Sequence, residues 1–147
     1  MQTDITFQEL IDFLLNINGF KEVDPAVLGQ KIVPMLSLVQ YEANDQIICK
    51  GRDSGTLYLL FKGQIRVEIS AMGDARSIIL NPGAILGEMS LVSNKPAVAN
   101  VFAHTHADVL TLDVETFRDI MQDNNDMTRA FAFMVGQRIA DFVKLKK

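Results

Sequence analysis

A single cysteine, Cys49, occurs among the 147 residues, so no disulfide can form within the chain. That scarcity fits a reducing, cytoplasmic setting. The simplest place for Cys49 is as a small apolar side chain buried in a strand. No apolar run reaches the ~18 residues that a membrane helix needs, so no membrane role is expected. The N-terminus carries Asp4, Glu9 and Asp12 where a secretory leader would carry positive charge. An excess of basic residues is missing as well. The net charge of −4 disfavours binding to nucleic acid through bulk charge.

Catalytic chemistry is equally thin. No serine is followed by a credible histidine and acid, and no Gly-Lys-Ser phosphate loop occurs. The sequence therefore predicts no enzyme, no catalytic residue and no cofactor. His104 and His106 are the only histidines. Two apart on a strand, they would share a face as a metal pair does, but a third histidine is lacking and a turn between strands falls at the same place. A solvated turn without metal is the expectation. The basic tail Lys144, Lys146 and Lys147 reads as helix termination.

What remains is a globular composition. Hydrophobic residues make up 48% and charged residues 22%, enough for one core in one domain spanning 1–147. Phe7, Leu10, Ile11, Leu14 and Leu15 recur at helical spacing, and Asn18-Gly19 stops that helix. Asp24-Pro25 reads as a cap followed by proline at the first helical position. Helices are thus expected within 5–33.

From Met35 the period becomes that of strands. Short apolar runs are separated by turns at Ala43-Asn44-Asp45, Gly51–Gly55, Lys62-Gly63 and Met72-Gly73-Asp74. Many short strands at close spacing indicate a mainly β fold, an antiparallel β-barrel or jelly roll over 35–113. Asp113 can cap a helix carrying Phe117, Ile120 and Met121, and a last helix follows from about Asp126. The C-terminal helices are expected over 114–145.

Within the β region, Asn81 to Val101 has its own pattern. A turn leads through Ile85-Leu86 to Gly87-Glu88, then a helical run Met89-Ser90-Leu91-Val92, a loop through Lys95-Pro96, and an extended run from Ala97. The glycine permits close approach of backbone to a ligand. A helix start offers free N–H groups to an anion.

This stretch resembles the phosphate-binding cassette of the cyclic nucleotide-binding domain family, over residues 84–101. The family motif reads roughly F-G-E-[LIM]-[AS]-L, a few residues, then P-R-[STA]-A-x-V. Here Leu86-Gly87-Glu88-Met89-Ser90-Leu91 and Pro96-Ala97-Val98-Ala99-Asn100-Val101 match its length without a gap and depart from it at the arginine position, Ala97. Gly51, Tyr58, Gly63 and Val67 fit a second family pattern, and the likeness extends over about Phe20 to Val143.

The resemblance implies a ligand site at Leu86, Gly87, Glu88, Met89, Ser90, Ala97 and Val98. Glu88 would take a ribose hydroxyl, or else cap the cassette helix. Ala97 stands where the family's arginine pairs with the cyclic phosphate, and Val98 offers no hydroxyl to a guanine. The implied function is a stand-alone regulatory or interaction module with weak or no binding of cAMP or cGMP. The alternative is a genuine sensor that uses Glu88, cassette amides and a substitute cation, Lys95 or Arg76. An uncharged ligand against Leu86, Ala97 and Val98 is a third reading.

The last helix is apolar on more than one side. Phe131, Met134, Val135, Ile139 and Phe142, widened by Phe133 and Ala140, cannot all face one barrel. A homodimer or a protein partner through that helix is therefore expected.

Overall fold

A computed structural model describes residues 5–17, 19–52, 55–71, 74–87 and 99–133. Helix α1 (Phe7–Leu15) starts where the Thr6 hydroxyl accepts the Glu9 N–H at 3.1 Å. It buries Ile11 and Leu14. Helix α2 (Pro25–Val27) is capped by the Asp24 carboxylate, which accepts the Ala26 N–H at 2.9 Å. It widens into a π turn over Leu28–Ile32 and tightens into a 3-10 turn over Val33–Met35. Pro34 has no N–H to continue a regular ladder. No helix among the described residues is long and apolar enough to cross a membrane.

Eight strands follow: β1 (Ser37–Tyr41), β2 (Gln46–Ile48), β3 (Thr56–Lys62), β4 (Ile65–Ala71), β5 (Asp74–Leu80), β6 (Ile85–Leu86), β7 (Asn100–Ala103) and β8 (Ala107–Asp113). They form two four-stranded antiparallel sheets, β1-β8-β3-β6 and β2-β7-β4-β5. The expected barrel is thus a jelly-roll-like pair of sheets that does not close. Edge strands β5 and β6 are consecutive in the chain yet do not pair. Their turn bonds back to β3 instead. The Gly83 N–H donates to the Leu60 carbonyl, and the Leu60 N–H donates to the Ala84 carbonyl, each at 2.9 Å. Cys49 corrects another expectation. It is half-buried just beyond β2, because Ile48 takes the inward place at that strand's end.

The first sheet is covered on both faces. Leu57 and Leu59 of β3, with Leu110 and Leu112 of β8, join the core formed with the helices. Tyr58 and Leu60, with Ala107 and Val109, join the core between the sheets. Register enforces the split: Leu57 lies opposite Leu112 and Leu59 opposite Leu110, while Leu60 lies opposite Val109. Directly opposed residues share a face.

Helix α3 (Val114–Gln122) starts at Asp113, whose carboxylate accepts the Thr116 N–H at 2.9 Å and its hydroxyl at 3.0 Å. The backbone bond, then the hydroxyl bond, holds the Asp113 carboxyl below its ordinary pKa. A last helix, α4 (residues 125–133), starts at Asn124, which accepts the Met127 N–H at 2.9 Å.

Phe20, Phe117 and Phe131 close the helical core. Their ring centroids lie 5.7 Å (Phe20–Phe117), 5.0 Å (Phe20–Phe131) and 4.9 Å (Phe117–Phe131) apart. Gly19, at φ +104°, makes room: a Cβ there would sit 2.5 Å from the Phe131 ring. Phe131, expected on a partner face, is instead 1% exposed within its own chain. Its ring neighbours among the described residues are the two other phenylalanines. Met134, Val135, Ile139 and Phe142 lie outside the described residues.

Phe131→Ala is expected to lower the unfolding free energy by about 3–5 kcal/mol. Urea denaturation at several protein concentrations checks this. A core role predicts a loss independent of concentration, whereas an interface role predicts a concentration-dependent one.

Candidate ligand-binding site

Strand β6 divides its two side chains between the two cores. Ile85 enters the helix-side core, and Leu86, opposite Tyr58, packs against the core between the sheets. Gly87 then turns the chain at φ +84°. A Cβ at this position would collide with the Thr56 carbonyl oxygen, so backbone alone fits against β3. Of the residues expected at the site, Leu86 and Gly87 are brought together at the free edge of the first sheet. Glu88, Met89, Ser90, Ala97 and Val98, and also Lys95, lie outside the described residues.

The chain is described again from Ala99, which is buried, into β7 of the second sheet. Asn100 holds β7 to β2. Its side-chain oxygen accepts the Lys50 N–H at 2.8 Å and a Gln46 side-chain N–H at 3.2 Å, beside a bulge between Gln46 and Ile48. Sequence reasoning missed this contact. The signal available was a lone amide between Ala99 and Val101 in an otherwise apolar strand.

Between the sheets, Ile48, Tyr58, Leu60, Ile65, Val101 and Val109 form a dry floor. Tyr41 borders it, and burial, then the nearby Tyr58 and Asp45, push its pKa up. Towards the β5–β6 side, Val67, Leu80 and Leu86 are only partly buried. Ile78 remains 41% exposed. Among the described residues the floor and its rim are hydrocarbon.

The charged groups sort by face. Arg66 lies on the outer face, 3.0 Å from Glu68, with its guanidinium 5.3 Å from the centre of the Phe102 ring and an Nη1 3.4 Å from His104 Nδ1. Arg76 lies opposite Ile69 in the β4–β5 pair, at a register shared with the inner face. His104 and His106 occupy the bend over residues 104–106 and have different partners. His106 lies 3.4 Å from Glu42 and 3.1 Å from Asp108. No group of three or more potential metal ligands is gathered among the described residues.

The family model for the cyclic nucleotide-binding domain matches residues 38–124. The cyclic nucleotide-gated channel beta-3 of Canis lupus familiaris is 28% identical over 124 residues, which are 82% of this chain and 16% of that protein. The chain therefore spans less than a fifth of the length of the curated relatives it matches. The regulatory domain of Toxoplasma gondii PKA, crystallised with cAMP, superposes with a TM-score of 0.71 at 25% identity, covering 82% of this chain and 46% of that one. The regulatory subunit of a cAMP-independent protein kinase A from Trypanosoma brucei gives 0.71 at 26% identity, covering 84% and 46%.

Gly87→Ala is expected to destabilise the fold by about 1–2 kcal/mol or more, since the residue must keep a left-handed conformation. Thermal melting checks it. A melting temperature equal to wild type would show that β6 can leave β3 at no cost.

Proposed function

The chain belongs to the cyclic nucleotide-binding domain family, and from that premise we propose that it is a regulatory or interaction module, not an enzyme, with weak or no affinity for cAMP and cGMP. The observation that carries this is Ala97 in the place of the phosphate-pairing arginine. Truncating one side of a desolvated, hydrogen-bonded charge pair costs roughly 2–5 kcal/mol. At about 1.4 kcal/mol per tenfold, affinity falls roughly 30-fold to several-thousand-fold. The scaffold around the missing group supports loss of a contact, not loss of a site. Gly87 keeps its close approach to β3, and the floor between the sheets is packed. The likeness to a subunit described as cAMP-independent points the same way.

A second reading, a working sensor with a substitute cation, is favoured by one observation, the inner-face register of Arg76. The two readings differ in the affinity of the unaltered protein. Calorimetric titration of cAMP and cGMP is expected to give millimolar binding or silence for wild type. Ala97→Arg should then gain about 30-fold or more. Micromolar binding by wild type would overturn the first reading.

Self-association through the last helix belongs to the same proposal. Its support is Phe133, 75% exposed on α4. Sedimentation at micromolar concentration is expected to show a dimer that Phe133→Asp converts to monomer. A wild type that is already monomeric would remove this part.

A further inference from the structure

We propose that Arg76 supplies the positive charge that recognises the phosphate of a nucleotide held between the two sheets. This rests on the inter-sheet space being the ligand site, as argued above. The placement comes from register. Ile65 lies opposite Leu80, Val67 opposite Ile78 and Ile69 opposite Arg76, with no irregularity along the pair. Opposed residues share a face, and side chains alternate along a strand. Ile65 is buried between the sheets and Val67 packs there, so Leu80, Ile78 and Arg76 are turned to the same side.

The surroundings explain why that side is accessible. Strand β5 is an edge of the second sheet, β6 is an edge of the first, and the two do not pair. Leu80 is partly buried near their common turn, whereas Ile78 and Arg76, farther out, are exposed. The rim is therefore hydrocarbon from Val67, Ile78 and Leu86, with one guanidinium beside it.

The other strand cations do not compete for this role. The eight strands carry Lys62, Arg66 and Arg76. Lys62 lies opposite Asp108. Arg66 is on the outer face, paired with Glu68 and stacked on Phe102. Arg76 has no hydrogen-bond or ion-pair partner among the described residues. A guanidinium without a partner among the described residues, beside an apolar rim, matches a ligand with one flat apolar end and one phosphate, since its fork of N–H donors can grip two phosphate oxygens at once. It would take the role that the family motif gives to the arginine position, here Ala97.

The test titrates the full chain with cAMP and with adenosine, using wild type, Arg76→Ala and Ala97→Arg. Wild type is expected to prefer cAMP to adenosine, with an affinity that falls as salt rises. Arg76→Ala should lose about tenfold or more for cAMP and keep its affinity for adenosine. Equal cAMP affinity in wild type and Arg76→Ala would overturn the proposal. So would a parallel loss for cAMP and adenosine, which would place Arg76 against the base or the sugar. Should wild type be silent while Ala97→Arg binds cAMP, the Arg76 proposal falls and the weakened site stands. Silence from both wild type and Ala97→Arg would remove both. Micromolar binding of cAMP by wild type, abolished in Arg76→Ala, would keep Arg76 and remove the weakened site. Position 76 is an exposed edge-strand site, so Arg76→Ala should melt as wild type does.

Discussion

The central sheet has to satisfy two hydrophobic cores at once. Each residue of β3 from Leu57 to Leu60 is buried, alternately against the helices and against the second sheet. A shift of one residue in the pairing of β3 with β8 would exchange the two sets of side chains. Tyr58 would then face the helices, and Leu59 would face the floor of the ligand site. The position of Leu86, and with it the start of the cassette, follows from the same register, because Leu86 is set opposite Tyr58.

The helices form one lid although they come from opposite ends of the described chain. Phe20 follows α1, Phe117 lies on α3 and Phe131 on α4, and the three rings pack edge to face or tilted. Such pairs add about 0.5–1.5 kcal/mol each beyond simple burial. Gly19 is the small residue that lets Phe131 close over the N-terminal segment. Any self-association through α4 has to use its other side, where Phe133 is exposed.

The residues proposed for the site border the core between the sheets, where Val67, Leu80 and Leu86 are only partly buried. This architecture separates shape from charge. The core between the sheets is built by the packing of β3, β4, β7 and β8, while the proposed recognition of an anion rests on a single cation, Arg76. A member of the family can therefore keep the fold with Ala97 at the position that the motif gives to arginine. The charge at Arg76 stands on a different strand and in the other sheet from the one that leads into the cassette.

Much of this was legible in the sequence where the cause is local. Asp24 and Asp113 are short polar side chains just ahead of helices, and the structure uses each as a cap. Turn residues marked most strand ends, and the run Leu86-Gly87-Glu88, with its spacing to Pro96, pointed to the family whose model matches residues 38–124. Other features depended on contacts between distant segments. The apolar run of β3 hides its own alternation, because both faces are buried and no polar residue marks either one. Phe131 read as an interface residue because its partners, Phe20 and Phe117, lie far away in sequence. Whether Arg76 faces inward depends on its pairing with Ile69, and whether the sheets close depends on β5 and β6 remaining unpaired. Local chemistry determined caps, turns and the family motif. Only tertiary structure decided which face each residue took, because a face is defined by the strand or ring packed against it.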